Sequence, residues 1–210
     1  MKHSLAVFDF DGTLADSFPF FLASFSELAD AHGFRPLDRA RIDELRRLDA
    51  RQLMRHVGLP AWKAPLVAMD FRRLMACKTG QIALFDGMSA LLRDLADAGV
   101  ELAVLSSNSR DNVQAVLGPH LTALIRHVDC GVSLLGKKRK LRALLARTGF
   151  APSQTVCIGD EIRDIEAARG VRAAAVAVGW GYALPDALAV HQPDALVHSV
   201  AQLRQYLGLA

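Results

Sequence analysis

The chain alternates short continuous apolar runs with longer stretches in which apolar residues recur every three or four positions. Leu5-Ala6-Val7-Phe8, Leu102-Ala103-Val104-Leu105, Thr155-Val156-Cys157-Ile158 and the run from Ala173 to Val178 are uninterrupted, the pattern of strands buried on both faces. Residues 125 to 132 read as a weaker strand. Between these runs the period changes. Met88, Leu91, Leu92 and Leu95 draw one face of a helix that ends at Gly99, and another helix starts near Arg110. Leu141, Leu144 and Leu145 mark a helix ending at Gly149, Ile162 to Arg169 a further one, and Val200, Leu203 and Leu207 a last. Apolar strands alternating with amphipathic helices predict an α/β fold with a doubly wound parallel sheet.

One stretch departs from this alternation. From Asp16 to about Thr79 every pattern is helical. Phe18, Phe21, Leu22, Phe25, Leu28 and Ala29 share a face that ends near His32-Gly33, and Val67, Phe71, Leu74 and Met75 share another. Residues 38 to 58 hold two shorter helical patterns, broken before Leu59-Pro60. The pattern therefore predicts a small all-helical insert at 16–79, dividing a sheet-bearing core into 1–15 and 80–210, with part of the helices' apolar faces covering the sheet.

Composition narrows the class without naming a chemistry. The 210 residues are 51% hydrophobic and 22% charged, enough for one large domain or one domain with an insert. No apolar run approaches the roughly 18 residues of a membrane span. Lys2, His3 and a brief apolar stretch precede Asp9, too short for the hydrophobic region of a signal peptide, so a cytoplasmic location is expected. Cys77, Cys130 and Cys157 are scattered and odd in number, which suggests reduced, buried thiols rather than a zinc or redox motif. A net charge of +3 is modest. The one dense basic run, Lys137-Lys138-Arg139-Lys140 with Arg142, reads as a solvated helix start or a nucleic-acid patch. No aromatic residue is interleaved with it, so stacking on a single strand has little support and nucleic acid is not expected as a partner.

In doubly wound sheets ligands bind beyond the carboxyl ends of the strands. Each predicted strand can be asked what it delivers there. The first gives Asp9 and Asp11, the second Ser106, Ser107 and Asn108, and the fourth Gly159, Asp160 and, one helical turn on, Asp164, with Glu161 beside it. All are polar or glycine. Carboxylates cannot sit mid-strand in an apolar sheet without a cost of several kcal/mol, but at its end they can meet solvent, a metal or a substrate. The spacing of Asp9 and Asp11 favours projection to one side of the strand. Gly12 permits a sharp turn and close backbone approach to a ligand, and Thr13 adds a hydroxyl. The four-residue spacing of Asp160 and Asp164 places both on one face at a helix start, where acids also serve as caps. Clustered acids repel one another unless a cation joins them, and magnesium suits hard oxygen ligands.

Asp9-Phe10-Asp11-Gly12-Thr13-Leu14 resembles the first motif of the haloacid dehalogenase superfamily, and Gly159-Asp160-Glu161-Ile162-Arg163-Asp164 resembles its fourth. Gly179-Trp180-Gly181-Tyr182 and Gln192-Pro193-Asp194-Ala195 look like the tail of phosphoglycolate-phosphatase-type members, so the resemblance covers nearly the whole chain. It implies a Rossmann-like core with a helical cap that sets specificity. It also implies a Mg2+-dependent phosphomonoesterase acting on a small-molecule phosphate ester, phosphoglycolate being the leading candidate. Asp9 would be the nucleophile and Asp11 the acid and base, with Mg2+ held by the carboxylates of Asp9 and Asp160 and the main-chain carbonyl of Asp11. Asp164 would act through water or orient its neighbours, with Glu161 adding charge beside Asp160. Ser106, with Ser107, Asn108, Gly12 and Thr13, would hold phosphate oxygens. Lys137 would neutralise the transferring phosphoryl group, with Lys138 as the next candidate. Two acids in the first motif argue against the dehalogenases of the superfamily. A sugar phosphomutase on the same scaffold, or a non-enzymatic nucleic-acid-binding protein, are the alternatives.

Overall fold

The computed structural model describes residues 2–133 and 136–209. Six parallel strands form one sheet in the order β3-β2-β1-β4-β5-β6, where β1 is Leu5–Phe8, β2 Glu101–Leu105, β3 Ile125–Asp129, β4 Thr155–Gly159, β5 Ala174–Val178 and β6 Ala195–Val197. The chain builds outward from β1 through β2 to β3, then returns across the sheet to place β4 on the other side of β1. The connections on the two sides run in opposite directions away from this pair, which opens a crevice at the carboxyl ends of β1 and β4. The fold class expected from the sequence is the one observed.

Uninterrupted apolar strands are explained by layers on both faces. Along β1, Ala6 and Phe8 enter one core cluster with Met88, Leu91, Leu92 and Leu95, while Leu5 and Val7 enter the other with Leu141, Leu144 and Ile165. The alternation of side chains along a strand thus divides one apolar run between two cores.

The helices are α1 (Phe18–His32), α2 (Ile42–Leu45), α3 (Ala50–Val57), α4 (Ala64–Ala76), α5 (Met88–Asp97), α6 (Arg110–Leu124), α7 (Lys137–Thr148), α8 (Ile162–Val171), α9 (Pro185–Val190) and α10 (Val200–Leu207). Helices α1 to α4 have their own apolar cluster, in which Phe25, Leu28, Ala29, Phe34 and Val57 are buried. The chain leaves the sheet and returns to it through a narrow neck: Ala15 bridges Leu84, Asp16 N–H donates to Ala83, and Phe85 N–H donates to Leu14.

The weaker strand expected over residues 125 to 132 stops at Asp129. The helix beginning at Arg110 is interrupted by Gly118 in the left-handed region (φ 70°) followed by Pro119. Two short elements were not foreseen, the three-residue edge strand β6 and the six-residue helix α9. Neither is long enough to display a period. No helix among the described residues is long and apolar enough to cross a membrane.

Candidate active site

Strand β1 ends at Phe8, and the next residue's carboxylate lies in the crevice between β1 and β4. Asp9 is 3% exposed, its N–H donates to the Ile158 carbonyl of β4, and its Oδ1 accepts from the N–H of Phe10 at 2.8 Å. Its Oδ2 faces Lys137 Nζ at 2.7 Å, and the same ammonium lies 2.5 Å from Asp164 Oδ1. Lys137 opens α7 and is buried, although it lies within the most basic stretch of the chain. Its neighbour Lys138 is exposed and runs along the backbone of Gly170. The helical period explains the difference, since adjacent residues on α7 point about 100° apart. Between the two lysines considered from the sequence, the structure brings Lys137 to the acids.

Asp160, fully buried, follows the end of β4. Its Oδ1 accepts from the Thr13 hydroxyl at 2.6 Å and its Oδ2 from the Tyr182 N–H at 2.8 Å. The fit around it is tight enough that two glycines are required. A Cβ on Gly12, itself at φ +75°, would lie 2.8 Å from Asp160 Cγ, and a Cβ on Gly181 would overlap both the Asp160 side chain and the Gly12 carbonyl. Asp164 sits in the first turn of α8, where its Oδ2 accepts from Glu161 N–H at 3.0 Å and closes the start of the helix.

Asp9, Asp160 and Asp164 are all buried and offer carboxylate oxygens within 4.8 Å of one another. Burial raises the pKa of Asp160 well above its ordinary value, and repulsion from Glu161, Asp9 and Asp164 adds to the effect. Burial pushes Asp164 up to about 6 even with Lys137 opposing it. Burial also works against the charge of Lys137, but Asp164 and Asp9 outweigh it and raise its pKa. Three buried acids, two of them on the Lys137 ammonium and one of these also near Arg163, form an oxygen-rich pocket of the kind a small hard dication relieves. The donor set fits Mg2+.

Asp11 is separate from this group. The strand has already ended, so the alternation argued for Asp9 and Asp11 does not carry through to the second acid. Its carboxylate is half-buried and accepts from Asn108 Nδ2 at 3.0 Å (Oδ2) and 3.3 Å (Oδ1). Burial, reinforced by the Asp9 charge, raises its pKa to about 6 against the hydrogen bonds from Ser17 and Asn108. A carboxyl group poised there can both give and take a proton near neutrality.

The residues after β2 complete the rim. Ser106 Oγ is buried and accepts from Asn108 N–H at 3.0 Å, and the Ser107 carbonyl accepts from Arg72 of α4 at 3.1 Å. Gly12 lies beside Asp160, and the Thr13 hydroxyl is already committed to that carboxylate. Glu161 is 2.6 Å from Arg163.

Sequence reasoning did not single out Arg163, whose guanidinium is 3.8 Å from Asp9 Oδ2. It lies inside the Gly-Asp-x-x-x-Asp segment, and a basic residue among the three acids Asp160, Glu161 and Asp164 was the available signal. Tyr182 and Arg46 were also missed as contributors. Arg46, just past α2, donates to the carbonyls of Tyr182 at 2.9 Å and Gly181 at 2.8 Å and packs over the Phe18 ring at 4.8 Å. It thereby ties the helical insert to the loop that holds Asp160.

Comparison with known proteins is consistent with this arrangement. The family model described as haloacid dehalogenase-like hydrolase matches residues 6–178. A phosphoglycolate phosphatase of Synechococcus elongatus is 37% identical over 200 residues, covering 95% of this chain and 94% of that protein. A phosphoglycolate phosphatase of Xanthomonas campestris is 32% identical, covering 94% of this chain and 93% of its own length. Among solved structures, a haloacid dehalogenase-like hydrolase of Streptococcus pneumoniae superposes with a TM-score of 0.77 at 18% identity, covering 98% of this chain and 99% of that one.

Proposed function

Because this chain belongs to the haloacid dehalogenase-like hydrolases, we propose that it is a Mg2+-dependent phosphomonoesterase that uses Asp9 as its nucleophile. One observation carries this reading: a buried carboxylate at the end of the central strand, 2.7 Å from a buried lysine and within 4.8 Å of the oxygens of Asp160 and Asp164. A carboxylate so placed is confined beside a cation, which is what in-line attack on phosphorus requires.

Asp9 and Asp160 would hold the metal through their carboxylates and Asp11 through its main-chain carbonyl, with Asp164 orienting its neighbours and Lys137. Bound Mg2+ would supply charge to offset the repulsion between an anionic nucleophile and an anionic ester. Lys137, 2.7 Å from Asp9 Oδ2, contributes to the same end, and Arg163, 3.8 Å from that oxygen, stands close enough to add to it. The Ser106 hydroxyl and the Ser107 N–H would receive the phosphate oxygens, whereas the N–H groups of Asn108, Gly12 and Thr13 are already donated to Ser106 Oγ, Ala15 and Phe10, so those three residues shape the rim instead. Asp9 attacks in line to give an aspartyl phosphate. Asp11, raised toward neutrality, gives its proton to the leaving oxygen and then takes one from the water that hydrolyses the intermediate. Asn108 keeps the Asp11 carboxyl oriented for both steps.

On the strength of the relatives' names, phosphoglycolate is the first metabolite to offer as a substrate. The test is release of inorganic phosphate from a panel of metabolite phosphates with Mg2+, with EDTA, and with the Asp9→Asn variant. Mg2+-dependent release that EDTA and Asp9→Asn both abolish is expected. Full activity in EDTA would refute the metal's role.

A further inference from the structure

Helices α1 to α4 enclose a cavity of about 240 Å³ that opens onto the acid-bearing edge of the sheet. At its mouth stand Asp11 and Asn108, and its body is walled by Phe21, Phe25, Val67 and Phe71. Resting on the phosphatase reading above, we propose that the physiological substrate is a phosphate ester of an alcohol with an apolar body, an aromatic ring or a comparable alkyl group, seated in this cavity while its phosphate meets Asp9.

The chemistry of the walls is the first reason. Phe21 packs against Phe25 with ring centroids 5.3 Å apart and against Phe71 at 6.0 Å, so the aromatic faces are already held in place by one another. A preformed apolar pocket beside a few polar groups binds the apolar part of a ligand and leaves the polar groups to orient it. Size is the second. A cavity of roughly 150 Å³ lined by aliphatic and aromatic side chains already accepts benzene, and this one is larger.

Charge is the third. The basic residues on the lining are Arg46, Arg72 and Arg163, and each is engaged at the rim. Arg46 donates to Gly181 and Tyr182, Arg72 to Ser107, and Arg163 pairs with Glu161. A carboxylate on the alcohol part of the substrate, as in phosphoglycolate, would enter a space whose body offers it no opposite charge, and an unpaired buried charge is costly. Glycolate would also leave most of the apolar volume unfilled.

The test uses phosphonates, which bind without being hydrolysed, so its outcome is independent of turnover. Calorimetric titration of the Mg2+-loaded protein would compare benzylphosphonate, methylphosphonate and 3-phosphonopropionate, the last being the counterpart of phosphoglycolate. Benzylphosphonate is expected to bind at least about tenfold more tightly than either of the others. In Ala68→Phe, which fills the cavity from its wall, that advantage should shrink to about threefold or less while methylphosphonate binds as before. Equal affinities in the unmodified protein, a preference for 3-phosphonopropionate, or no binding of any phosphonate would overturn the inference whether or not the variant folds. The expected ranking without phosphate release from benzyl phosphate would leave the pocket assignment standing and refute the phosphatase reading instead.

Discussion

Lys137→Met is the most informative perturbation of this site. The substitution keeps a long apolar stem at the start of α7 and removes an ammonium that lies 2.7 Å from Asp9 and 2.5 Å from Asp164. Both carboxylates are buried, so water cannot replace the lost partner. Removing one member of a buried ion pair typically costs about 3–5 kcal/mol, because the other charge is left uncompensated. For a chain of this length, about 2–4 °C of melting temperature per kcal/mol translates that cost into a fall of about 6–20 °C at pH 8. The loss should depend on pH in a defined direction. Burial already raises Asp164 to about 6 with Lys137 opposing the shift, and without the lysine it rises further. An acid whose folded pKa lies above its unfolded value of about 3.9 destabilises the fold progressively as pH climbs from that value through the folded one. At pH 5 the variant can protonate the acid and escape most of the penalty, so the fall in melting temperature should be smaller there than at pH 8. Thermal unfolding followed by circular dichroism in EDTA at the two pH values measures this. The exposed Lys138→Met is the control, expected within about 0.5 kcal/mol of the unmodified protein. A loss independent of pH, or one no larger than that of Lys138→Met, would refute the buried-pair reasoning.

Three further outcomes follow from the same geometry. Asp11→Asn keeps the nucleophile and removes only proton transfer, so unactivated esters should barely react. An activated aryl phosphate should instead give a burst of about one equivalent of alcohol per enzyme and a stalled, hydroxylamine-labile phosphoenzyme, detectable by rapid mixing. Equal loss on both substrates with no burst would show that Asp11 is not the acid and base. Gly181→Ala places a methyl group against Asp160 and the Gly12 carbonyl, which should cost about 1–3 kcal/mol of stability. It should also raise the Mg2+ concentration for half-maximal activity by about 10- to 100-fold, and an unchanged metal titration would count against Asp160 as a ligand. Arg46→Ala deletes two hydrogen bonds that join α2 to the loop at Gly181 and Tyr182. Limited proteolysis between residues 33 and 60 should accelerate several-fold, while unchanged cleavage would mean that the tether contributes nothing to holding the insert.

The parts of this protein that were legible in its sequence are those in which local pattern and physical need coincide. The uninterrupted runs at Leu5–Phe8 and Thr155–Ile158 required a sheet covered on both faces, and the layers on either side of β1 supply that cover. Acids directly after such runs had to lie at a strand's end. Asp9, Asp160 and Asp164 accordingly meet at one edge, although 151 residues separate the first from the second. The face drawn by Met88, Leu91, Leu92 and Leu95 is wholly buried, because an amphipathic stripe has only one low-energy way to dock on a sheet.

What the pattern left open was decided by contacts between residues far apart in the chain. Thr13 reads as a free hydroxyl next to an Asp-Gly turn, yet it is bound to Asp160, 147 positions away. Lys137 stands out from Lys138 in the basic run only by its place after Gly136, and it is the phase of α7 against Asp9 and Asp164 that buries one and exposes the other. Arg46 looks like a surface residue of a short helix until the loop 136 positions later is brought against it. Strand β6 and helix α9 are too brief to carry a period and owe their form to docking on neighbours already in place. Sequence by itself determined which segments are buried and which edge collects the acids, since hydrophobic periodicity and the cost of burying charge are local properties. Tertiary structure decided which partner each charge meets and what the helical insert encloses, because both depend on distances that exist only once the sheet has closed.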